Sequence, residues 1–249
     1  GGRDYGNRVG LWRMFEVLDK HSIRCTVSLS MSVIEMYPEI LEAMEARRWE
    51  YMSHGYFNTR YHWGYEEQEE REVIEHSKAT HLRLTGRKLR GWFSPAVSNT
   101  LNTPDIVKEA GLEYFCDFYH DDQPTPLATK HGPLIHVPYS MDLNDAMIYR
   151  QPVEAEEFAQ MIIDHFDTVY REGGENGRVM CLALHPYMMG APHRLKHLDR
   201  ALSYIRKHKD AWVCTAEEIL DCLAVYVSKK DGFMPRSERP DGLRGSILG

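Results

Sequence analysis

The chain has 249 residues, a formal net charge of −7, 43% hydrophobic residues and 27% charged residues. That composition belongs to a folded soluble protein of one or two domains, and no apolar run approaches the roughly 18 residues that a bilayer span needs. The acidic balance argues against nucleic acid as the main partner, no membrane partner is expected, and a neutral or cationic small molecule suits the charge.

In chain order, residues 7–20 place Val9, Leu11, Trp12, Phe15, Val17 and Leu18 close to a helical period. Residues 25–30 (Cys-Thr-Val-Ser-Leu-Ser) alternate and read as a strand. Residues 33–48 read as a helix, with Pro38 in the first turn of its main part. Residues 50–53 are a short strand that stops at Ser53-His54-Gly55. A long charged helix over 66–85 ends at Gly86. Residues 89–94 are a strand stopped by Pro95, and 103–110 a helix with Pro104 in its first turn. Short strands follow at 113–116 and 134–137. A helix over 153–170 precedes Gly173-Gly174. The apolar run 179–184 reads as a strand closed by His185-Pro186, then come a helix at 193–208, a strand at 212–214 and a helix at 216–227. The tail 229–249 is rich in Gly, Pro, Ser and Arg and is expected to be flexible.

Strands that alternate with helices imply a parallel sheet with helical crossovers, an α/β fold. Without an internal linker, this fits one barrel domain over 1–228. The chain opens on a helix, so the barrel is expected to lack its first strand here, and exposed sheet edges would favour a homo-oligomer. The opening residues do not form a signal peptide. The five cysteines are widely spaced, with no C-x-x-C pair, and read as reduced and buried. Together these features point to a cytoplasmic protein.

Two histidines carry the chemistry. His54 and His185 each follow an apolar strand-like run and are followed at once by a strand breaker, which leaves the imidazole at the strand mouth. In barrels of parallel strands, reactive groups collect at the carboxyl ends of the strands. A neutral imidazole serves there as a metal ligand or as an acid or base. A metal would want a second ligand at i+4 from His54, but that position is Asn58, and His62 stands eight residues on. A carboxylate beside His185 would suit it as a general acid. Trp92, Phe93 and Ser94 offer an aromatic wall with polar contacts. Asp121, Asn144 and Asp145 read either as turn formers or as groups that hold substrate.

The segments Tyr5-Gly6-Asn7-Arg8-Val9-Gly10-Leu11-Trp12, Ser53-His54-Gly55, Gly91-Trp92-Phe93-Ser94-Pro95, Tyr119-His120-Asp121-Asp122-Gln123-Pro124, 137–145 and 184–194 occur in this order. Taken together they resemble the polysaccharide deacetylase superfamily (carbohydrate esterase family four). Within it they are similar to the branch of metal-independent allantoinases and cyclic imide hydrolases. The resemblance implies a distorted (β/α) barrel of about seven strands and hydrolysis of an amide or cyclic-amide carbon–nitrogen bond. It implies His185 as general acid and His54 as the first histidine of an H-x-x-x-H pair whose second member is here Asn58. The expected cofactor is none. The alternative is a zinc-dependent N-acetyl-sugar deacetylase in which His54 would bind the metal, or a non-catalytic barrel that binds carbohydrate or protein. The partner is expected to be a small-molecule amide or an N-acetylated sugar. A first-strand carboxylate motif would precede Tyr5 and is absent from this chain.

Overall fold

The structure is a computed structural model that describes residues 2–150 and 153–229. The chain opens with α1 (Gly2–Tyr5), a π-helical turn (Gly6–Gly10) and α2 (Leu11–Lys20). Next come β1 (Thr26–Leu29), α3 (Met31–Met36), α4 (Pro38–Ala46), β2 (Glu50–Ser53), α5 (Glu67–Thr85), β3 (Gly91–Trp92), α6 (Thr103–Glu109) and β4 (Tyr114–Phe115). They are followed by β5 (Thr125–Leu127), β6 (Leu134–His136), α7 (Met147–Arg150), α8 (Ala155–Gly173), α9 (Pro186–Met189), α10 (Leu195–Ile205) and α11 (Ala216–Lys229). The expected tail beyond Lys229 lies outside the described residues. No helix among the described residues is long and apolar enough to cross a membrane. The described chain forms two compact units, one from 2–24 with 138–214 and one from 25–137 with 215–229.

The second unit holds the sheet, in the order β1-β2-β3-β4-β6-β5. β1, β2, β3, β4 and β6 run parallel, and β5 is antiparallel to β6 at the edge. This is the α/β class with helical crossovers that the alternation predicts. Leu29, Ser53, Trp92, Phe115 and His136 stand in one row across the five parallel strands. The ladder runs on past the named ends. The amides of His54, Phe93, Cys116 and Val137 donate to the carbonyls of Leu29, Ser53, Trp92 and Phe115. His54 therefore sits level with Phe93, and Ser94 with Asp117, one step further toward the carboxyl edge. At the opposite edge, the buried Glu50 carboxylate accepts the Glu217 amide and the Thr26 hydroxyl, which pins the start of α11 to the sheet.

Local chemistry explains most boundaries. Pro38 lacks an N–H and forces Tyr37 out of the helical region (φ −132°, ψ 72°), so the helix expected over 33–48 breaks into α3 and α4. Glu66 and Glu69 form a reciprocal capping box at the start of α5, and Gly86 closes that helix at φ +70°. The strand β5 escapes a sequence reading because Pro126 fills the middle of a three-residue run.

The first unit packs α10 on α8 and α2, and the π-turn against α9. The strand expected over 179–184 is not formed. Only Ala183 bridges, to Asn144. An extended run becomes a strand only when a partner keeps pace with it. Here the Asn144 side chain accepts the Ala146 amide and turns the partner away after one residue. The strand expected over 212–214 is also absent. Thr215 and Glu218 cap each other's amides, so that stretch serves as the approach to α11.

Candidate active site

His54 follows a strand as the breakers predicted, whereas His185 follows an extended run that forms no strand and stands at the start of a short helix. In the first unit, His185 is the residue before α9, and Pro186 at the first helical position stops the extended backbone. Asp145 stands opposite and is completely buried. One of its oxygens accepts the His185 Nδ1–H at 2.7 Å, and the other accepts the His185 backbone amide at 2.8 Å. A carboxylate can only accept, so Nδ1 carries the proton and Nε2 is the nitrogen available for chemistry. The ring is one-third exposed. Asp145, read from the sequence either as a turn former or as a group that holds substrate, thus has both oxygens engaged by His185. Asn144 is also turned inward: its amide donates to the Tyr139 hydroxyl at 3.2 Å, and its carbonyl accepts the Ala146 amide.

The π-turn holds this histidine turn from behind. Gly6 and Gly10 lie so close to residues 186–187 that a Cβ on Gly10 would stand 2.1 Å from the Pro186 carbonyl oxygen. Gly190 meets Gly10 from the other side, where its own Cβ would fall 2.5 Å from the Gly10 Cα. Only paired glycines allow that approach.

In the second unit, His54 follows β2, and Gly55 turns the chain away at φ +70°. The His54 Nδ1–H donates to the Phe93 carbonyl at 2.9 Å, and the ring stacks on Phe93 with centroids 4.9 Å apart and 14° between planes. The ring is thus fixed in both position and tilt. Trp92 and Ser94 are fully buried, and the Trp92 indole N–H donates to the Ser94 hydroxyl at 3.0 Å. Phe93 is 4% exposed. The expected aromatic wall is therefore packed into the core of this unit, with the face of Phe93 given to His54.

Asp117 stands two residues beyond β4. It is buried, accepts the Ser94 amide at 2.7 Å, and its second oxygen has no partner among the described residues. Burial pushes its carboxyl up to about 7, against the hydrogen bonds from Ser94. The signal that could have located it is the strand register, which pairs Ser94 with Asp117. Asp121 is half-buried and accepts the Gln123 amide, the geometry of a turn. Nearby, His136 is fully buried with its ring 4.5 Å from that of His120, and burial holds it down at about 4, so it is neutral.

A metal would need His54 and two further donors. Asn58 stands at the next position of the motif. His62 is fully buried and turned toward Glu70, 3.4 Å from that carboxylate. Glu70 in turn accepts from Thr100 and Thr103. No group of three His, Cys, Asp or Glu side chains converges as metal ligands would among the described residues. The donors described here do not fit a resident metal, and the chemistry derived from them is that of the side chains themselves.

The polysaccharide deacetylase family model matches residues 4–115. A polysaccharide deacetylase family protein of Schizosaccharomyces pombe is 30% identical over 236 residues, covering 87% of this chain and 73% of its own. The peptidoglycan deacetylase of Helicobacter pylori is 24% identical over 251 residues, covering 87% of this chain and 84% of its own. The crystal structure of Puue allantoinase superposes with a TM-score of 0.85 at 28% identity, covering 93% of this chain and 76% of its own. Deacetylases and allantoinases are hydrolases of carbon–nitrogen bonds. On the 30% identity to the S. pombe relative, and with the parallel sheet in place, the chain belongs to the polysaccharide deacetylase family.

Proposed function

We propose that this protein hydrolyses a carbon–nitrogen bond of a small amide, cyclic amide or ureide, with His185 as the general acid. The observation that carries this reading is the Asp145–His185 pair. With Nδ1–H held by the buried carboxylate, the acid proton of the protonated ring is the one on Nε2, which points away from that carboxylate. Water attacks the carbonyl carbon and passes its proton to bulk water, and as the C–N bond breaks Nε2 gives its proton to the departing nitrogen. Earlier on the path, the same N–H stabilises the tetrahedral oxyanion. His54, locked on the Phe93 carbonyl and ring, orients water or substrate. Asn58, in place of a second histidine at i+4 from His54, is the observation that favours a reaction without a resident metal.

A second reading is a metal-dependent N-acetyl-sugar deacetylase, favoured by the likeness to the H. pylori peptidoglycan deacetylase. The two separate in one experiment. Allantoin, a simple cyclic imide and an N-acetylated chitooligosaccharide are offered to the full-length protein with and without chelator. Ring opening that resists chelator is the expected outcome. Acetate release that chelator abolishes would move the assignment to the second reading.

A further inference from the structure

The His54 carbonyl partner and the Asp117 amide partner belong to one peptide group. His54 Nδ1–H donates to the oxygen of Phe93, and the N–H of Ser94, on the other side of the same C–N bond, donates to Asp117. We propose that Asp117 is a positioning residue for His54, acting through the Phe93–Ser94 peptide to strengthen the Nδ1–H hydrogen bond that holds the imidazole.

Resonance ties the two ends of a peptide group together. An anionic acceptor on the N–H draws that proton out and leaves more negative charge on the carbonyl oxygen, and hydrogen bonds in such a chain strengthen one another. Here the peptide is buried: Phe93 is 4% exposed, Ser94 0% and Asp117 2%. Little water is present to screen the effect. The register enforces the arrangement, since β2, β3 and β4 are adjacent and parallel, and their ladder continues through His54, Phe93 and Cys116. One peptide of the middle strand is thus gripped by a side chain from each neighbour.

The choice of residue also needs an explanation. A buried carboxylate with one oxygen unpartnered is costly, and an Asn in the same place would accept the Ser94 amide without that cost. The raised carboxyl, at about 7, reports that cost. Such costs persist where a charge is used. A carboxylate that polarises the peptide raises the basicity of the His54 Nε2 in the way a direct Asp–His pair does, with the amide plane as intermediary. His54 and His185 then share one logic: a buried aspartate stands behind the Nδ1–H bond of each, directly at His185 and through one peptide at His54.

The role of His54 in the reaction rests on the function proposed above, so the test reads the ring itself rather than turnover. The full chain is labelled with ¹⁵N at histidine and at the backbone. The ring nitrogens are assigned at pH 8, where Asp117 is ionised. In the parent protein His54 should show a protonated Nδ1. Asp117→Leu removes the acceptor from the Ser94 amide, so the His54 Nδ1–H bond should weaken and its resonance move upfield, while His185 stays as it was. Asp117→Asn keeps the acceptor but removes the charge. It should leave the tautomer in place and move the Ser94 amide proton and the His54 Nδ1 resonance upfield together. An unchanged His54 in the folded Leu variant would overturn the proposal. So would an Asn variant in which the Ser94 amide moves and His54 does not, and this second result decides the matter if the Leu variant fails to fold.

Discussion

At Asp145 a single carboxylate meets one residue twice, through the His185 ring and the His185 backbone. That double grip sets both the tautomer and the place of the ring. Asp145→Asn keeps the shape but presents an NH₂ that can donate to Nδ1, which selects the wrong tautomer. Its kcat on the substrate identified by the panel should fall by about a hundredfold or more, with near-normal stability. His185→Ala should cost at least as much. A variant of either kind with parental kcat would remove the dyad from the mechanism. Both residues were visible in the sequence, as a strand-end histidine and a turn-forming carboxylate. Their bond was not, because 40 residues separate them and no local pattern records which carboxylate a distant imidazole will meet. The Asp117 contact was hidden for the same reason. It depends on strand register, which emerges only when the sheet assembles.

Elements were legible where a local breaker decides them. β2 ends where Gly55 turns the chain, α5 ends at Gly86, and α6 begins at Thr103-Pro104. They were illegible where a partner decides them, as at 179–184, where an apolar run found only one bridging partner. The helical period read over residues 7–20 did not reveal that its first turn, Gly6–Gly10, is a π-turn, and it is where the next prediction lies. Gly10→Ala would push a methyl group into the Pro186 carbonyl. The cost should be about 1–3 kcal/mol by urea denaturation. Because the displaced turn carries His185, kcat should fall further than that loss of stability explains under conditions where the protein stays folded. Parental kcat in Gly10→Ala would show that the π-turn does not hold the histidine in place.

On the scale of the whole protein, buried carboxyls set the pH dependence of stability. Asp117 is raised to about 7 by burial, and Glu217 to about 7 by burial and by neighbouring Glu50. Both groups hold their protons more tightly folded than unfolded. Between about pH 4 and pH 7 the native state therefore binds more protons, and its stability falls as pH rises through that window. Urea midpoints at pH 5 and pH 8 should show this loss, and Asp117→Asn should reduce it by lifting the value at pH 8. An equal loss in the variant would mean that Asp117 ionises in the folded protein as freely as in the unfolded chain. The fold class followed directly from the alternation of strands and helices, since that pattern has few ways to close its hydrogen bonds.

The antiparallel β5 has a consequence for how these molecules meet one another. A sheet edge recruits a stranger by offering it a regular row of amide donors. Pro126, in the middle of β5, offers none. A second chain trying to extend the sheet past β5 would lose a rung at the centre of a three-residue ladder. The edge behaves as a chain terminator in the polymer chemist's sense, so self-association at that side must proceed by side-chain surfaces rather than by growth of the sheet.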